Sequence, residues 1–258
     1  MLDATARTHW TRHGWLWLRG FFGVDEMRDL VRWTDEIASW PETPGRWMRY
    51  YERPQGAKLL ARIENFVPYH EGLAELFASP RLLGLLAELC GEPVVLFKDK
   101  INFKLPGGGG FAPHQDAPAY VDFGVEHHLT VMVPIDAFTA ENGCLEMARD
   151  ACARTFLPQN PDGTLRAGVM EGLEVEPLRA VPGDAIVFDA WAPHRSGPNR
   201  SSGPRRSYYL TFNPASAGDR RAAYYARKRE CFPPEYERDP DVDYAARGRQ
   251  FNLGNPFD

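Results

Sequence analysis

Cysteine is scarce in this 258-residue chain: Cys90, Cys144, Cys152 and Cys231 form no C-x-x-C pair. With no secretory signal ahead of them, reduced thiols in a cytoplasmic setting are expected. No apolar run approaches the length of a membrane span, and the N-terminal MLDATARTHWTRHG lacks the hydrophobic stretch of a signal peptide. Charge of one sign is scarce too, with 30 basic against 35 acidic residues and a net −5, and the arginines are scattered. That balance gives no pull toward nucleic acid or an anionic membrane. The expected partner is a small-molecule substrate, and the expected assembly is a monomer or homodimer. Gly107 to Gly110 superficially suggest a phosphate-binding loop, but no G-K-[ST] follows and no helix starts there. Those glycines are read as a flexible lip.

What is present is enough apolar residue, 43%, for one sizeable core. We expect a single domain: N-terminal helical support over 1–92, a β core over about 93–214 and a C-terminal extension over 215–258. Gly14 to Phe22 reads as an aromatic strand. Asp25 is placed as the cap of a helix through about Trp40, with Met27, Leu30, Val31, Thr34 and Ile37 at helical spacing and Pro41 as its stop. Pro41 to His70 shows poor periodicity and reads as a long irregular loop, from which Arg49, Tyr50 and Arg62 could line a pocket. For Arg62 a surface salt bridge is the competing reading. Ser79, Pro80 and the RLLGLLAELCG run give a capped core helix that Gly91 ends.

Val94 to Leu105 is strand-like, with Lys98, Lys100, Asn102 and Lys104 on one face and Asp99, Ile101, Phe103 and Leu105 on the other. After the glycines stand His114 and Asp116, whose i, i+2 spacing on a strand points both side chains to one side, as for ligands of one ion. His127 and His128 are adjacent and fall on opposite faces of a strand, so they cannot both join that ion. Leu129 to Ile135 reads as a buried strand, ENGCLEM as a turn into another with Cys144 buried, and Ala148 to Val181 as a loop-rich connection. Pro182-Gly183-Asp184 turns into the AIVF strand that delivers His194, with Phe188 and Trp191 near enough to shield a metal. The last core strand is SYYLTF, with Arg205 just ahead of it; the basic, aromatic tail forms a helix through Arg229, broken at Pro233-Pro234, and either covers the site or supports a dimer. Two His and one carboxylate on one face of iron leave open positions, the arrangement of non-haem Fe(II) oxygenases.

His114-Gln115-Asp116, His194 in an H-x-S-G-x-N context and Arg205 eleven residues beyond it resemble the phytanoyl-CoA dioxygenase family, over about Gly14 to Asn213. The resemblance implies a double-stranded β-helix (a cupin-like jelly roll, mainly β with flanking helices) and Fe(II), 2-oxoglutarate and O2 as the reaction's cofactor and cosubstrates. It makes His114, Asp116 and His194 the metal ligands, and Arg205 and Ser196 the hold on the distal carboxylate of 2-oxoglutarate. Asn102 is a further cosubstrate contact, as in a relative that hydroxylates ectoine, and Arg62 stands where a relative has a basic residue near the cosubstrate. Asp116 argues against the halogenating branch, which has a small residue there. KDKINFK, IENFVPYH and the tail YYARKR with FPP resemble bacterial members associated with hydroxylation of 2-aminoethylphosphonate; Lys98, Lys100 and Arg49 would suit an anionic group, with Phe111 and Gln115 as further pocket residues. The expected reaction is hydroxylation of a C–H bond with release of succinate and CO2. Alternatives are the same chemistry on another small metabolite, a cupin metalloenzyme needing no oxo acid, for which Arg205 would have no use, and a non-catalytic binding protein.

Overall fold

The computed structural model describes residues 2–151 and 153–254, so Cys152 and positions 255–258 lie outside it. α1 (Ala4–His13) is capped by Asp3 and leads into β1 (Trp15–Leu18) and α2 (Val24–Ser39). Met27, Leu30, Thr34 and Ile37 of α2 are buried, as the spacing predicts. Its cap is Gly23 rather than Asp25: the Glu26 carboxylate reaches back to the Gly23 N–H at 2.8 Å. Asp25 lies inside the first turn, where its charge faces the positive end of the helix dipole.

Between Pro41 and His70 the expected loop is instead two strands, β2 (Met48–Glu52) and β3 (Leu59–Glu64), paired antiparallel. Alternation fails as a signal there because both faces are covered: Met48, Arg49, Tyr50 and Glu52 are all buried. α3 (Glu71–Phe77) and α4 (Pro80–Cys90) follow; Ser79 precedes α4 without a side-chain cap bond, Pro80 takes the first position and Gly91 closes it in left-handed backbone.

The remaining strands are β4 (Val94–Lys104), β5 (Phe111–His114), β6 (Leu129–Pro134), β7 (Leu145–Ala148), β8 (Val175–Leu178), β9 (Ala185–Asp189), β10 (His194–Ser196) and β11 (Arg205–Pro214). Among the described residues they form a seven-stranded sheet, β1-β9-β6-β11-β4-β3-β2, and a four-stranded sheet, β5-β10-β7-β8, antiparallel throughout. One face of the larger sheet presents Ile101, Phe103, Val131, Val133, Val187 and Leu210 to Leu30, Ile37, Leu73, Phe77, Leu82 and Leu86 of the helices. Its other face meets the smaller sheet, where Met132, Ile186 and Phe188 pack with Leu145, Met147 and Leu178. Truncating a fully buried leucine of the first cluster, Leu30 for instance, would cost about 2–5 kcal/mol.

The polar row of β4 looks inward. Lys98, Asn102 and Lys104 are buried and Lys100 half-buried, while Ile101 and Phe103 face the helices. A strand with charge on its inner face is a misfit in a plain sandwich; here it lines the interior of a two-sheet barrel.

The tail forms α5 (Arg221–Cys231) and α6 (Tyr244–Arg247). Tyr224, Tyr225 and Lys228 of α5 are buried, and Phe232 stacks on Tyr50 with ring centres 5.3 Å apart. The chain then returns to β5, where the Ala112 N–H donates to the Gly254 carbonyl at 2.8 Å. Cys90, Cys144 and Cys231 are free thiols. No described helix is long and apolar enough to cross a membrane.

Candidate metal and cosubstrate site

His114 ends β5 and His194 begins β10; the two are direct partners across the strand pair, their ring centres 4.3 Å apart. His194 thus belongs to a short strand of its own after β9, not to the AIVF strand. Asp116 lies past the end of β5 with φ −74° and ψ −27°. Strand alternation therefore does not aim it; a turn does, bringing its Oδ1 to 3.7 Å from His114 Nε2. One ligating atom from each of His114, Asp116 and His194 lies within 4.8 Å of the others, all three buried.

The donor set is in ligating form. His114 Nδ1 donates to the Ala112 carbonyl at 2.7 Å and His194 Nδ1 to the Ala192 carbonyl at 3.0 Å. A carbonyl only accepts, so both Nδ1 atoms carry the proton and both Nε2 atoms keep a lone pair for a metal. Burial, then the neighbouring His114, lowers the His194 pKa to about 4. Burial works against the Asp116 carboxylate, but the adjacent His114 and the charge of Lys100 hold its pKa below the ordinary value. Phe188 covers one side, 5.0 Å from the His194 ring. Trp191 does not: it packs on Phe156 and donates its indole N–H to the Glu126 carbonyl.

Gln115, between His114 and Asp116, points away from the pocket that the sequence suggested for it. Its amide nitrogen donates to the Thr155 and Trp191 carbonyls and its oxygen accepts from the Leu157 N–H, tying the following loop to the metal strand. His127 pairs with Asp189 at 3.3 Å, whereas His128 is buried between Phe97 and Tyr120; neither reaches the metal set.

Arg205 is fully buried. Its Nη1 donates to the Gly143 carbonyl at 2.6 Å, while Nε and Nη2 have no partner among the described residues. A planar fork with two free donors in the dark of the barrel fits a carboxylate, such as the distal one of 2-oxoglutarate. Arg206 points the other way, to Asp136 and Asp35, as strand alternation requires. Ser196 Oγ accepts from Lys104 Nζ at 2.8 Å. Gly143 is obligatory at its place: φ is 71°, and a Cβ would stand 2.0 Å from the Gly197 carbonyl oxygen. Gly110 is likewise needed for contact, since its Cβ would lie 2.7 Å from the Ser196 carbonyl oxygen. Gly108 and Gly110 are thus closely packed rather than parts of a loose lip, while Gly107 is exposed in left-handed backbone.

Arg62 is buried, so the surface salt bridge falls away: its Nε donates to Asn102 Oδ1 at 3.0 Å and its Nη1 sits 3.3 Å from Glu64 Oε1. Arg49 leaves the pocket altogether. Its guanidinium donates to the Ile37, Ala38 and Trp40 carbonyls at the end of α2 and to the Tyr51 hydroxyl, because it takes the outward alternation of β2. Lys98, Lys100, Phe111 and Arg62 do line a cavity with His114 and Asp116, closed by Gln250, Phe251 and Leu253 of the tail to about 20 Å³. That is room for roughly one water. Burial lowers the pKa of both Lys98 and Lys100. A larger cavity of about 440 Å³, lined by His128, Arg154, Phe156 and Trp191 among others, shares no residue with it.

Residues 10–207 match the phytanoyl-CoA dioxygenase family. The chain belongs to that family. It is 44% identical over 253 residues to 2-aminoethylphosphonate dioxygenase of the uncultured bacterium HF130_AEPn_1, covering 97% of each chain. To methylphosphonate hydroxylase of Gimesia maris it is 39% identical over 223 residues, covering 86% of this chain and 85% of that one. The crystal structure of EctD from S. alaskensis with 2-oxoglutarate and 5-hydroxyectoine matches with TM-score 0.71 at 20% identity, over 84% of this chain and 77% of that one, which shows the shared double-stranded β-helix. This member of the phytanoyl-CoA dioxygenase family is an Fe(II)- and 2-oxoglutarate-dependent dioxygenase with a small-molecule substrate. Alternation puts Lys104 on the polar face of β4 and gives it no role, and no sequence signal marks Gln250, Phe251 and Leu253, which reach the cavity only through the fold of the tail.

Proposed function

We propose that this dioxygenase hydroxylates a C–H bond of a small phosphonate, an aminoalkylphosphonate foremost, within one catalytic domain. The observation that carries this reading is the positive wall beside the candidate metal ligands: Arg62, Lys98 and Lys100 face the cavity, while the nearby Glu64 is shared between Lys228 at 2.6 Å and Arg62 at 3.3 Å. The excess positive charge suits a dianionic headgroup held close to the reacting carbon. The two relatives named for phosphonates support the same class.

In this reading His114, Asp116 and His194 would hold Fe(II). Arg205 and Ser196 anchor the distal carboxylate of 2-oxoglutarate, and Asn102, oriented by Arg62, contacts the same cosubstrate. Bound together, iron and 2-oxoglutarate supply dioxygen activation, with one oxygen atom passing to the substrate and the other to succinate as CO2 leaves. The chain's own part is placement and exclusion. Lys98 and Lys100 orient the anionic end, Phe111 and Phe188 wall off water, and the tail residues Phe251 and Leu253 close the cavity. Asp116 occupies the position that a halogenating enzyme keeps open.

Succinate release over a substrate panel tests it. Aminoalkylphosphonates should stimulate release strongly, and carboxylates of the same carbon skeleton weakly. Equal stimulation by the carboxylates would replace the phosphonate reading by the same chemistry on another small metabolite. Anaerobic addition of 2-oxoglutarate to the Fe(II) protein should give a weak visible charge-transfer band, whose absence would favour a metalloenzyme needing no oxo acid.

A further inference from the structure

The register of β4 against β11 sets Lys104 directly opposite Arg205. Like charges in that relation repel, and here both are buried, which makes the pairing costly. Both donate to the Gly143 carbonyl, at 2.6 Å from Arg205 and 3.4 Å from Lys104, and Lys104 donates also to the Gly197 carbonyl at 2.5 Å. The partial charges of two carbonyls do not offset two cations. Glu52, whose charge is felt at Lys104, accepts instead from the Gly109 N–H at 2.8 Å. With the three Lys104 donors met by Gly143, Ser196 and Gly197, the donors left for an anion from outside the chain are Nε and Nη2 of Arg205, beside which Lys104 adds its charge.

Ser196 adds direction. Its Oγ accepts from the Lys104 ammonium, which has no lone pair to give back. The serine proton has no acceptor among the described residues and is free for a third atom.

We propose that Lys104 is a positioning residue for the distal carboxylate of the cosubstrate: it holds the Ser196 oxygen as an acceptor, so that the serine proton turns to the carboxylate, and adds a second charge beside Arg205. This rests on the placement of that carboxylate at Arg205. Two cations and an oriented hydroxyl select a dicarboxylic 2-oxo acid over a monocarboxylic one. Burial, then Arg205, lowers the Lys104 pKa to about 6, against the pull of Glu52 and Cys144. A docked carboxylate reverses that balance, so binding at pH 8 takes up a proton, and affinity falls as pH rises above about 6.

The test is calorimetric binding of 2-oxoglutarate and of 2-oxopentanoate, which lacks the distal carboxylate, to the Fe(II) protein under nitrogen. Wild type should prefer 2-oxoglutarate, and Lys104→Met should cut that preference about tenfold or more while leaving 2-oxopentanoate nearly unchanged. Ser196→Ala should weaken 2-oxoglutarate in wild type but add little in the Lys104→Met background. Lys104→Gln, which keeps a donor for Ser196 without the charge, should retain the fold and fall between the two. At pH 8, titrations in two buffers of different ionisation enthalpy should show proton uptake in wild type and none in Lys104→Gln. Equal loss of both oxo acids in the lysine variants, or no loss of either, would overturn the proposal. A wild type indifferent to the distal carboxylate would instead overturn the Arg205 placement beneath it.

Discussion

The inner face of β4 spans roughly 20 Å from Lys98 to Lys104, and its two ends treat buried charge in opposite ways. At the Lys98 end a carboxylate is built in. Glu64, fully buried on β3, meets Lys228 of α5 at 2.6 Å and Arg62 at 3.3 Å. Burial would raise its pKa, but Lys228, Lys98 and Arg62 together bring it to about 2. At the Lys104 end, Arg205 keeps two donors unfilled and no carboxylate closes the pair among the described residues. A buried cation with its counter-ion is part of the architecture, and removing one partner strands the other. A buried cation without one marks where a ligand belongs.

The comparison yields predictions of decreasing size. The ions between the two ends come first: His114→Ala, Asp116→Ala or His194→Ala should abolish stoichiometric Fe(II) binding and turnover, with the circular dichroism spectrum of a folded protein. Iron content unchanged in any one variant removes that residue from the site. At the paired end, Glu64→Gln should lower the free energy of unfolding in urea by about 3–5 kcal/mol, because Lys228 is left buried and alone. Glu64→Gln combined with Lys228→Met should recover most of that loss. At the open end, Arg205→Met should cost far less stability, since it removes a charge with no counter-ion. Stability losses of the same size at both ends would dissolve the contrast.

Binding should show the reverse. Arg205→Ala should weaken 2-oxoglutarate by a factor of hundreds to thousands, equivalent to about 3–5 kcal/mol, with iron retained. Arg205→Lys should recover part of it, and Arg206→Ala, facing Asp136 and Asp35, should change it little. Titration of 2-oxoglutarate into each Fe(II) variant gives the ranking.

The smallest effect separates charge burial from its avoidance. Burial, then His127, lowers the His128 pKa to about 3, below the ordinary 6.5. Below pH 6.5 the unfolded chain gains a proton there that the folded chain does not, so stability falls as pH drops from 6.5 toward 4.5. Urea unfolding of wild type and His128→Leu across that window should show a shallower slope in the variant. Parallel slopes would mean that His128 protonates in the folded state.

Much of this was readable in the chain. The apolar positions of α2 and α4 and the single polar face of β4 follow from periods of 3.6 or 2, which neighbours in sequence enforce on one another. That this face looks inward, that Arg205 rather than Arg206 faces the barrel, and that His114, Asp116 and His194 come together were marked by the family resemblance, since a turn and not strand alternation aims Asp116. Tertiary structure decided what those periods do not encode. β2 and β3 carry no alternation because both faces are covered, and Arg49 and Gln115, chemically apt for a pocket, turn instead to carbonyls of α2 and of the 155–157 loop. The Glu64–Lys228 pair joins residues 164 apart, and the tail closes the cavity from positions still farther along. Such contacts depend on long-range packing and on the cost of leaving a buried charge or donor unmet, and neither is written in any short stretch of chain.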